Sequence, residues 1–515
     1  MNDPRTPRVS VIIPVYNSMP YLTGTLESVL AQDLAALEVI AVDDGSTDGS
    51  GAELDRFAAL DARLTVVHQP NSGWPGSPRN RGLERASGEF VFFMDSDDTM
   101  PSQALRSMVE MVDEADDEPI DVVVPRFVGT GGRDVQSVFK THPHGTMRLE
   151  RAMETISPQK LFRREIIERD GLRFPEEKVR LEDGIFVARA YVLARRIAFC
   201  GREPLYCIAR RDDGGNISSS AIDPRNYVES CRRIAGILRA GVADPARADA
   251  LVHQFFLRKG LRFYAPRKWS RMSPKRRAVW IDLHREFLDD LVPVALDAHT
   301  TDPGKRRLLG LIRAGDLAGL NAFIEAGPRL AHESVCARAV EAGRGIELEV
   351  LVRAPGQGSP LVDDRPSRAR LRMLRANAAA VPQLSRHGSV RRAGRALSAA
   401  LSGPTPRFSL LLGGRRDGRL RTVPGTVVGY ESGGAPAYRV RFSLSQGLLR
   451  TLGRQRIDLW TAVETRAGFI GERTRVGAGG TTAAASTPRV YATDAGNLSL
   501  DLRRHVDQRA SSSRA

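Results

Sequence analysis

Residues 89–100 read EFVFFMDSDDTM. An apolar run from Phe90 to Met94 stops at Asp95, and further carboxylates follow at Asp97 and Asp98. Apolar residues without alternation indicate a strand covered on both faces, as in a parallel sheet sandwiched by helices. Carboxylates this close repel, and each raises its neighbours' pKa unless a cation sits between them. The stretch therefore reads as a central strand that delivers a cation-binding loop to one edge of a sheet.

The flanking sequence repeats the pattern. Short β-branched or apolar runs at 8–14, 37–42, 64–68 and 120–127 alternate with helical spacing at 19–32, 49–60, 78–86 and 101–115. Ser18 is the expected N-cap of the first helix. Pro78 fits a helix's first turn, where a missing N–H costs nothing. Alternating strands and helices predict an α/β domain with a mostly parallel sheet. Further helices and strands fill 150–220, a helical region runs from 221 to about 340, and short strands between Gly, Pro and Arg turns follow, as in a β-sandwich. The expected division is 1–220, 221–340 and 341–515.

Ligands of an open parallel sheet bind at the carboxyl ends of its strands. Each of the first four strands is followed there by polar or glycine-rich sequence: Pro14, Tyr16 and Asn17; Asp43, Asp44, Ser46, Thr47 and Asp48; Asn71 through Gly76, leading to Arg79; then Asp95, Asp97 and Asp98. One such loop is ordinary turn chemistry. Four on one crevice point to a ligand. Hard divalent cations take oxygen ligands, and Mg²⁺ prefers few carboxylates plus substrate phosphates. A metal–diphosphate with Mn²⁺ or Mg²⁺ is the expected occupant. Neither a G-x-x-x-x-G-K-[ST] loop nor a G-x-G-x-x-G turn is present, which argues against a P-loop NTPase and a dehydrogenase.

The net charge of +15 is uneven. Residues 1–130 hold 9 Arg, no Lys and 22 acidic residues, a balance of −13 that leaves +28 for the remainder. Between Arg365 and Arg456, 19 Arg face only Asp417 and Glu431. Such a basic body suits a polyanionic polymer or an anionic membrane surface, or is simply a solvated surface. Nucleic acid is not expected, because no recognised nucleic-acid-binding pattern accompanies the charge. The four cysteines lack metal or disulfide spacing. With no signal peptide in view, the expected location is cytoplasmic, at most peripheral on the inner face of the membrane.

VSVIIPVYN, VIAVDDGSTD and GEFVFFMDSDD, in this order, resemble family 2 glycosyltransferases of the GT-A fold. NSGWPGSPRNRGL, SPQKLFRREII, FPEEKVRLEDGIFVARAYVLARRI and the NISSS loop are similar to the wall teichoic acid β-N-acetylglucosaminyltransferases of Gram-positive bacteria. The likeness in motifs covers about 8–225; beyond 340 it is architectural. It implies a UDP-sugar donor, a hydroxyl acceptor on an anionic polymer or glycan, and self-association through the C-terminal region. It also implies residue roles. Pro14 and Tyr16 would frame the uracil, Asp44 would bond its edge, and Asn71 and Arg79 would bind the nucleotide-sugar. Asp95 would meet the ribose or the metal, and Asp97 the metal. Glu182 and Asp183 match an acidic pair whose Asp183 is the base. Arg211, with Ser218 and Ser219, would steady the departing diphosphate, and Arg210 fits the same alignment. Trp74 departs from the pattern, which has a small residue there, and this leaves the donor sugar open.

A nucleoside diphosphate leaves without protonation, so one carboxylate suffices as base and displacement inverts the anomeric centre. As first-turn acids, Glu182 and Asp183 could equally serve the helix dipole. Rival readings are a family 2 transferase acting on capsule or lipid-linked oligosaccharide, an inactive polymer-binding scaffold, and a nucleotidyltransferase. His142 and His144 read as surface residues. Trp269 and Trp280 read as packing residues or, if exposed, as part of a membrane-facing stretch.

Overall fold

A computed structural model describes residues 7–115, 118–210, 222–330, 332–342, 345–353, 407–417, 419–431, 437–465, 468–476, 489–493 and 496–503. Contacts divide the chain into one unit of residues 1–260 with 290–292, and a second of 261–289 with 293–515.

The first unit opens with β1 (Val9–Val15), α1 (Tyr21–Leu30), β2 (Leu37–Asp43), α2 (Ser50–Ala58), β3 (Leu64–His68), α3 (Gly76–Leu83), β4 (Phe90–Phe93) and α4 (Ala104–Asp113). These match the expected alternation. The N-cap of α1 differs: it is Pro20, and the Ser18 hydroxyl instead meets Ser96 Oγ at 2.6 Å, tying the first and fourth loops together. The unit continues with β5 (Ile120–Pro125), β6 (Phe127–Gly129), α5 (Val138–Thr141), β7 (Gly145–Thr146), α6 (Leu149–Ala152), β8 (Leu161–Arg163), α7 (Arg164–Arg169), α8 (Glu182–Leu193), β9 (Arg196–Cys200), β10 (Tyr206–Ile208), α9 (Pro224–Gly241) and α10 (Pro245–Lys259). The expected single strand over 120–127 is broken at Arg126, whose N–H and C=O bond Cys200 and Leu205. Phe127 then pairs with Tyr206 in a separate two-stranded ribbon.

Among the described residues the main sheet runs β3-β2-β1-β4-β8-β5-β9-β7. β1, β2, β3 and β4 are mutually parallel, as are β5 and β9, while β8 and β7 insert antiparallel. Val15 pairs with Asp43, and Asp43 with His68, so the strands end level and their loops share one edge.

An aromatic cluster fastens that edge to α8. Phe93 packs edge-on against Phe162, Phe174 and Phe186, with centroids 5.9, 4.9 and 5.5 Å away. Phe174 and Phe186 stack at 4.1 Å. Offset and edge-to-face pairs of this kind add about 0.5–1.5 kcal/mol each beyond area burial.

The second unit begins with helices, including α11 (Pro266–Trp269), α12 (Pro274–Leu291), α13 (Pro303–Arg313) and α14 (Leu317–Leu330). Trp269 and Trp280 are 1% and 0% exposed, so they pack rather than face a membrane. Trp269 stacks on Tyr264 and donates to Asn321 Oδ1 at 2.8 Å, and Trp280 stacks on Phe263. Among the described residues no helix is long and apolar enough to cross a membrane.

Strands begin earlier than the texture change suggested. β11 (Glu333–Ala342) precedes β12 (Gly345–Arg353) in a hairpin. Its buried positions are Ser334, Cys336 and Ala339, and a bulge after Cys336 shifts the register; small or polar core residues and a skipped beat hide period-two alternation. Later strands, among them Phe408–Gly414, Ala437–Leu444 and Arg456–Thr465, complete two antiparallel-rich sheets. Phe408 of one sheet lies 5.4 Å from Tyr438 of the other, as in a sandwich.

At Gly76, where α3 begins, a Cβ would sit 2.0 Å from the Pro175 carbonyl. Gly76→Ala must push apart α3 and the segment carrying Phe174, and overpacking of this kind costs about 1–3 kcal/mol. Thermal melts should show a lower midpoint; an unchanged one would mean that the two segments do not touch.

Candidate active site

The strand edge is built from reciprocal loop contacts. Asn17, at φ +46°, accepts the Thr47 N–H at 2.8 Å, and its own N–H reaches Ser46 Oγ at 3.1 Å. Asp48 accepts the Met19 N–H at 2.9 Å and the Ser50 hydroxyl at 2.6 Å. Gly45 is left-handed at φ +73°, and a Cβ there would lie 2.8 Å from Asn71 N, so only glycine lets the second and third loops meet.

Asp44 is buried. Its Oδ1 accepts Gln69 Nε2 at 2.6 Å and Ser72 N at 3.0 Å, and its Oδ2 accepts Ser72 Oγ at 2.8 Å. A carboxylate has about four acceptor positions. Three are spent on orienting the group, which leaves one for a ligand N–H. Tyr16 is half exposed, Pro14 partly buried and Asn71 exposed on the same edge. Trp74 is buried under its loop, with Lys178 Nζ 5.7 Å from its ring.

Arg79 lies at the centre. It is 6% exposed and reaches Asp95 Oδ1 with one terminal nitrogen and Glu182 Oε1 with the other, both at 3.2 Å. Its guanidinium lies over Phe174, 5.2 Å from the ring centroid. Burial works against its charge, but Asp95, Glu182 and Asp183 outweigh that and keep it protonated. Asp95 is held from the other side by Gln159 Nε2, 2.5 Å from Oδ2. Burial and the charge of Asp183 push Glu182 up to about 7, against Arg79. Burial also raises Asp183, opposed by Lys259 and Arg79. The Gly184 N–H donates to Asp183 Oδ1 at 2.6 Å, so the helix start supports this carboxylate.

Asp98 turns inward. Burial, then Asp95 and Asp97, raise its pKa to about 8. It accepts the Ala209 N–H at 2.8 Å, and the Tyr206 hydroxyl, which lies near it, also accepts the Asp95 N–H at 3.1 Å. The last carboxylate of DSDD thus anchors the strand that leads toward 211–221. Arg211, Ser218 and Ser219 lie outside the described residues. Arg210 lies just before them and is exposed.

The donor set has room for a shared cation. Among the described residues no three His, Cys, Asp or Glu side chains form a metal cage. Asp95 keeps a lone pair on each oxygen, and Asp97 lies two residues on. Two carboxylates without a cage suit Mg²⁺ or Mn²⁺ completed by phosphate oxygens. His144 Nδ1 instead accepts the Gly201 N–H at 3.2 Å.

Comparison with known proteins agrees with this geometry. Residues 10–171 match the family described as Glycosyl transferase family 2. The chain carries a family 2 glycosyltransferase domain. Residues 224–324, just after it, match the Glycosyl transferase TarS linker domain. The chain is 33% identical over 316 residues to the poly(ribitol-phosphate) β-N-acetylglucosaminyltransferase TarS of Staphylococcus aureus, covering 60% of this chain and 54% of that protein. It is 30% identical over 323 residues to the poly(ribitol-phosphate) β-glucosyltransferase of Bacillus spizizenii, covering 61% and 50%. It thus spans about half the length of these curated relatives. A crystal structure of S. aureus TarS 1-349 with UDP-GlcNAc superposes with a TM-score of 0.56 at 28% identity, covering 68% of this chain and 98% of that one.

The structure of the glycosyltransferase domain brings Arg79, Asp95, Glu182 and Asp183 together, while Asp44 follows β2 on the strand-end edge and is held by Gln69 and Ser72. Sequence reasoning missed Gln159, Tyr206 and the structural use of Asp98. SPQKLFRR contributed to the resemblance, yet a lone Gln has no spacing that marks it as a partner of Asp95.

Removing one partner of a fully buried ionic set costs about 3–5 kcal/mol. Arg79→Met leaves the buried Glu182 and the partly exposed Asp95 without their shared cation, so the loss should fall at or below the low end of that range. Adding Glu182→Gln to Arg79→Met should recover part of that loss. Urea unfolding of the two variants measures both effects, and strict additivity would mean that Arg79 does not bridge the carboxylates.

Proposed function

We propose that this protein is an inverting, metal-dependent glycosyltransferase that moves a sugar from a UDP-sugar to a hydroxyl of an anionic polymer of the poly(ribitol-phosphate) type. One observation carries the reading: Arg79 joins the Asp95 loop to the first turn of α8, so a diphosphate site and a candidate base lie side by side. The likeness to a UDP-GlcNAc-bound structure supports the donor class, and GlcNAc is the proposed sugar. Glucose is the second candidate, because a relative of similar identity is named a glucosyltransferase.

The remaining lone pair of Asp44 receives the uracil imide N–H while Tyr16 and Pro14 flank the ring. Asn71 and Arg79 border the nucleotide-sugar. Asp95 and Asp97 would hold Mn²⁺ or Mg²⁺, which would supply charge dispersal for the leaving diphosphate. Asp183, raised but partly open, takes the proton of the acceptor hydroxyl as it attacks the anomeric carbon from the face opposite the diphosphate. Glu182 stays on Arg79 and keeps a second negative charge off the acceptor. Arg211 or Arg210 meets the departing UDP.

Polymer recognition is proposed for the basic second unit. Arg416, Arg419 and Arg454 are exposed and form no ion pair among the described residues. Their turns are tied together, with the Arg416 N–H on Gln455 Oε1 at 2.9 Å and the Arg415 N–H on the Arg456 carbonyl at 3.0 Å. Self-association through this unit and work at the inner face of the membrane belong to the same proposal.

A UDP-release assay with Mn²⁺ tests the chemistry. Asp183→Asn should lose about 10²–10⁴-fold in kcat. Pyrophosphate release instead would identify a nucleotidyltransferase, and no turnover on any nucleotide sugar would favour a scaffold. The base must be unprotonated and its pKa is raised, so kcat/KM should fall as pH drops. The midpoint should lie above the ordinary carboxylate value, because burial raises Asp183.

Exposed cations are screened beyond about 8 Å at physiological ionic strength. Binding of polyphosphate-backbone polymer should therefore weaken steeply with salt. Arg416→Gln with Arg419→Gln and Arg454→Gln should flatten that dependence, and an unchanged salt slope would place the polymer elsewhere.

A further inference from the structure

Residues 155–160, TISPQK, form a strap that touches both halves of the site. At one end Gln159, 5% exposed, donates to Asp95. At the other the strap lies along α8, from Gly184 in its first turn to Tyr191 near its end. The Tyr191 hydroxyl of α8 donates to the Thr155 carbonyl at 2.9 Å. Ile156 packs against Gly184 so closely that a Cβ there would be 2.7 Å from Ile156 Cδ1. Gly184 is the residue after Asp183 and donates its N–H to that carboxylate.

The strap encloses a buried amine. Lys160 is 0% exposed. Its Nζ bonds the Ser157 carbonyl and lies 3.5 Å from Thr155 Oγ1, so the side chain curls back on its own strap. The rings of Phe127 and Tyr191 are each 6.0 Å from Nζ. Burial lowers the Lys160 pKa to about 7, and the negative charge of Asp183 opposes that shift. Arg258 adds a cation through bonds to the Met153 and Glu154 carbonyls. An isolated ammonium out of water costs several kcal/mol, and an apolar chain of equal volume would fill the place more cheaply. The amine ties the strap to itself, and the strap packs on Gly184, the residue that follows Asp183 and donates to it.

We propose that Lys160 is a positioning residue for Asp183: its amine holds Thr155–Ser157 against the start of α8, while Gln159 of the same strap holds Asp95. Base and diphosphate carboxylate are thereby set at a fixed separation. This inference rests on the transferase reading above. Lys160 does not touch substrate and acts through Asp183.

The test is a double-mutant cycle in the full chain with UDP-GlcNAc, Mn²⁺ and poly(ribitol-phosphate). Lys160→Met should lower kcat by about 10–100-fold, the usual loss on removing a supporting partner, with the donor KM and UDP affinity within about twofold. In an Asp183→Asn background, Lys160→Met should cause no further loss, since residues acting as one unit are not additive. Full additivity, or a donor KM that rises while kcat stays, overturns the proposal. Thr155→Val removes a hydroxyl near the amine without removing the amine and should give a smaller loss in the same sense. If Lys160→Met fails to fold, Thr155→Val carries the same cycle and its additivity decides. A wild type that turns over while Lys160→Met matches it refutes this inference alone. A wild type that turns over no nucleotide sugar refutes the transferase reading and the inference with it.

Discussion

A guanidinium almost wholly removed from water sits between two carboxylates from distant parts of the chain. Arg79 comes from α3, Asp95 from the loop after β4, and Glu182 from the start of α8. Ions in such a place are tolerated only when their partners are held in good geometry. The surrounding structure supplies that restraint. Phe93, Phe174 and Phe186 pack the end of β4, the segment before α8 and α8 itself into one cluster, with Arg79 lying on Phe174. Asn80, the next residue of α3, bonds both the N–H and the C=O of Phe174, at 2.9 Å each. The ionic bridge and its aromatic support depend on each other.

This bridge divides the labour among the acids. Asp95 is braced by Arg79 and Gln159. Glu182 is tied to Arg79. Asp183 retains an oxygen beyond the one its own helix engages, and it is partly exposed. Asp98 is directed inward and serves the backbone of Ala209. Four neighbouring carboxylates thus carry different duties because their partners differ, although their residue type does not. The acidic first part and the basic remainder of the chain extend the same logic to larger scale. Negative charge gathers where a cation–diphosphate would neutralise it, and positive charge spreads where a polyanion would lie.

Much of the first unit was legible before any coordinates. The strands 8–14, 37–42, 64–68 and 90–94 and the helices between them were found with shifts of a few residues, because fully apolar runs and helical spacing mark buried strands and their covering helices. The loops carrying Asp44 and Asp95, and the one leading to Arg79, followed from the rule that ligands meet parallel strands at their carboxyl ends. The misreadings have local causes. Ser18 suits a cap by residue type, but its hydroxyl is spent on Ser96. β11 was missed because Ser334, Cys336 and Ala339 fill its buried face and a bulge breaks the alternation.

Local pattern alone therefore determined the α/β sheet, its reactive edge and the identity of most polar residues there, because each signal is carried by neighbours a few positions apart. What only the tertiary structure decided was which charges meet. That Arg79 bridges residues 16 and 103 positions away, that Gln159 reaches back 64 positions to Asp95, and that Lys160 is enclosed near Phe127 and Tyr191 are results of chain closure. Such contacts leave no periodicity to read. Burial then sets each group's charge, because the energy of an ion depends on the partners and dielectric around it, and those exist only once the chain has folded.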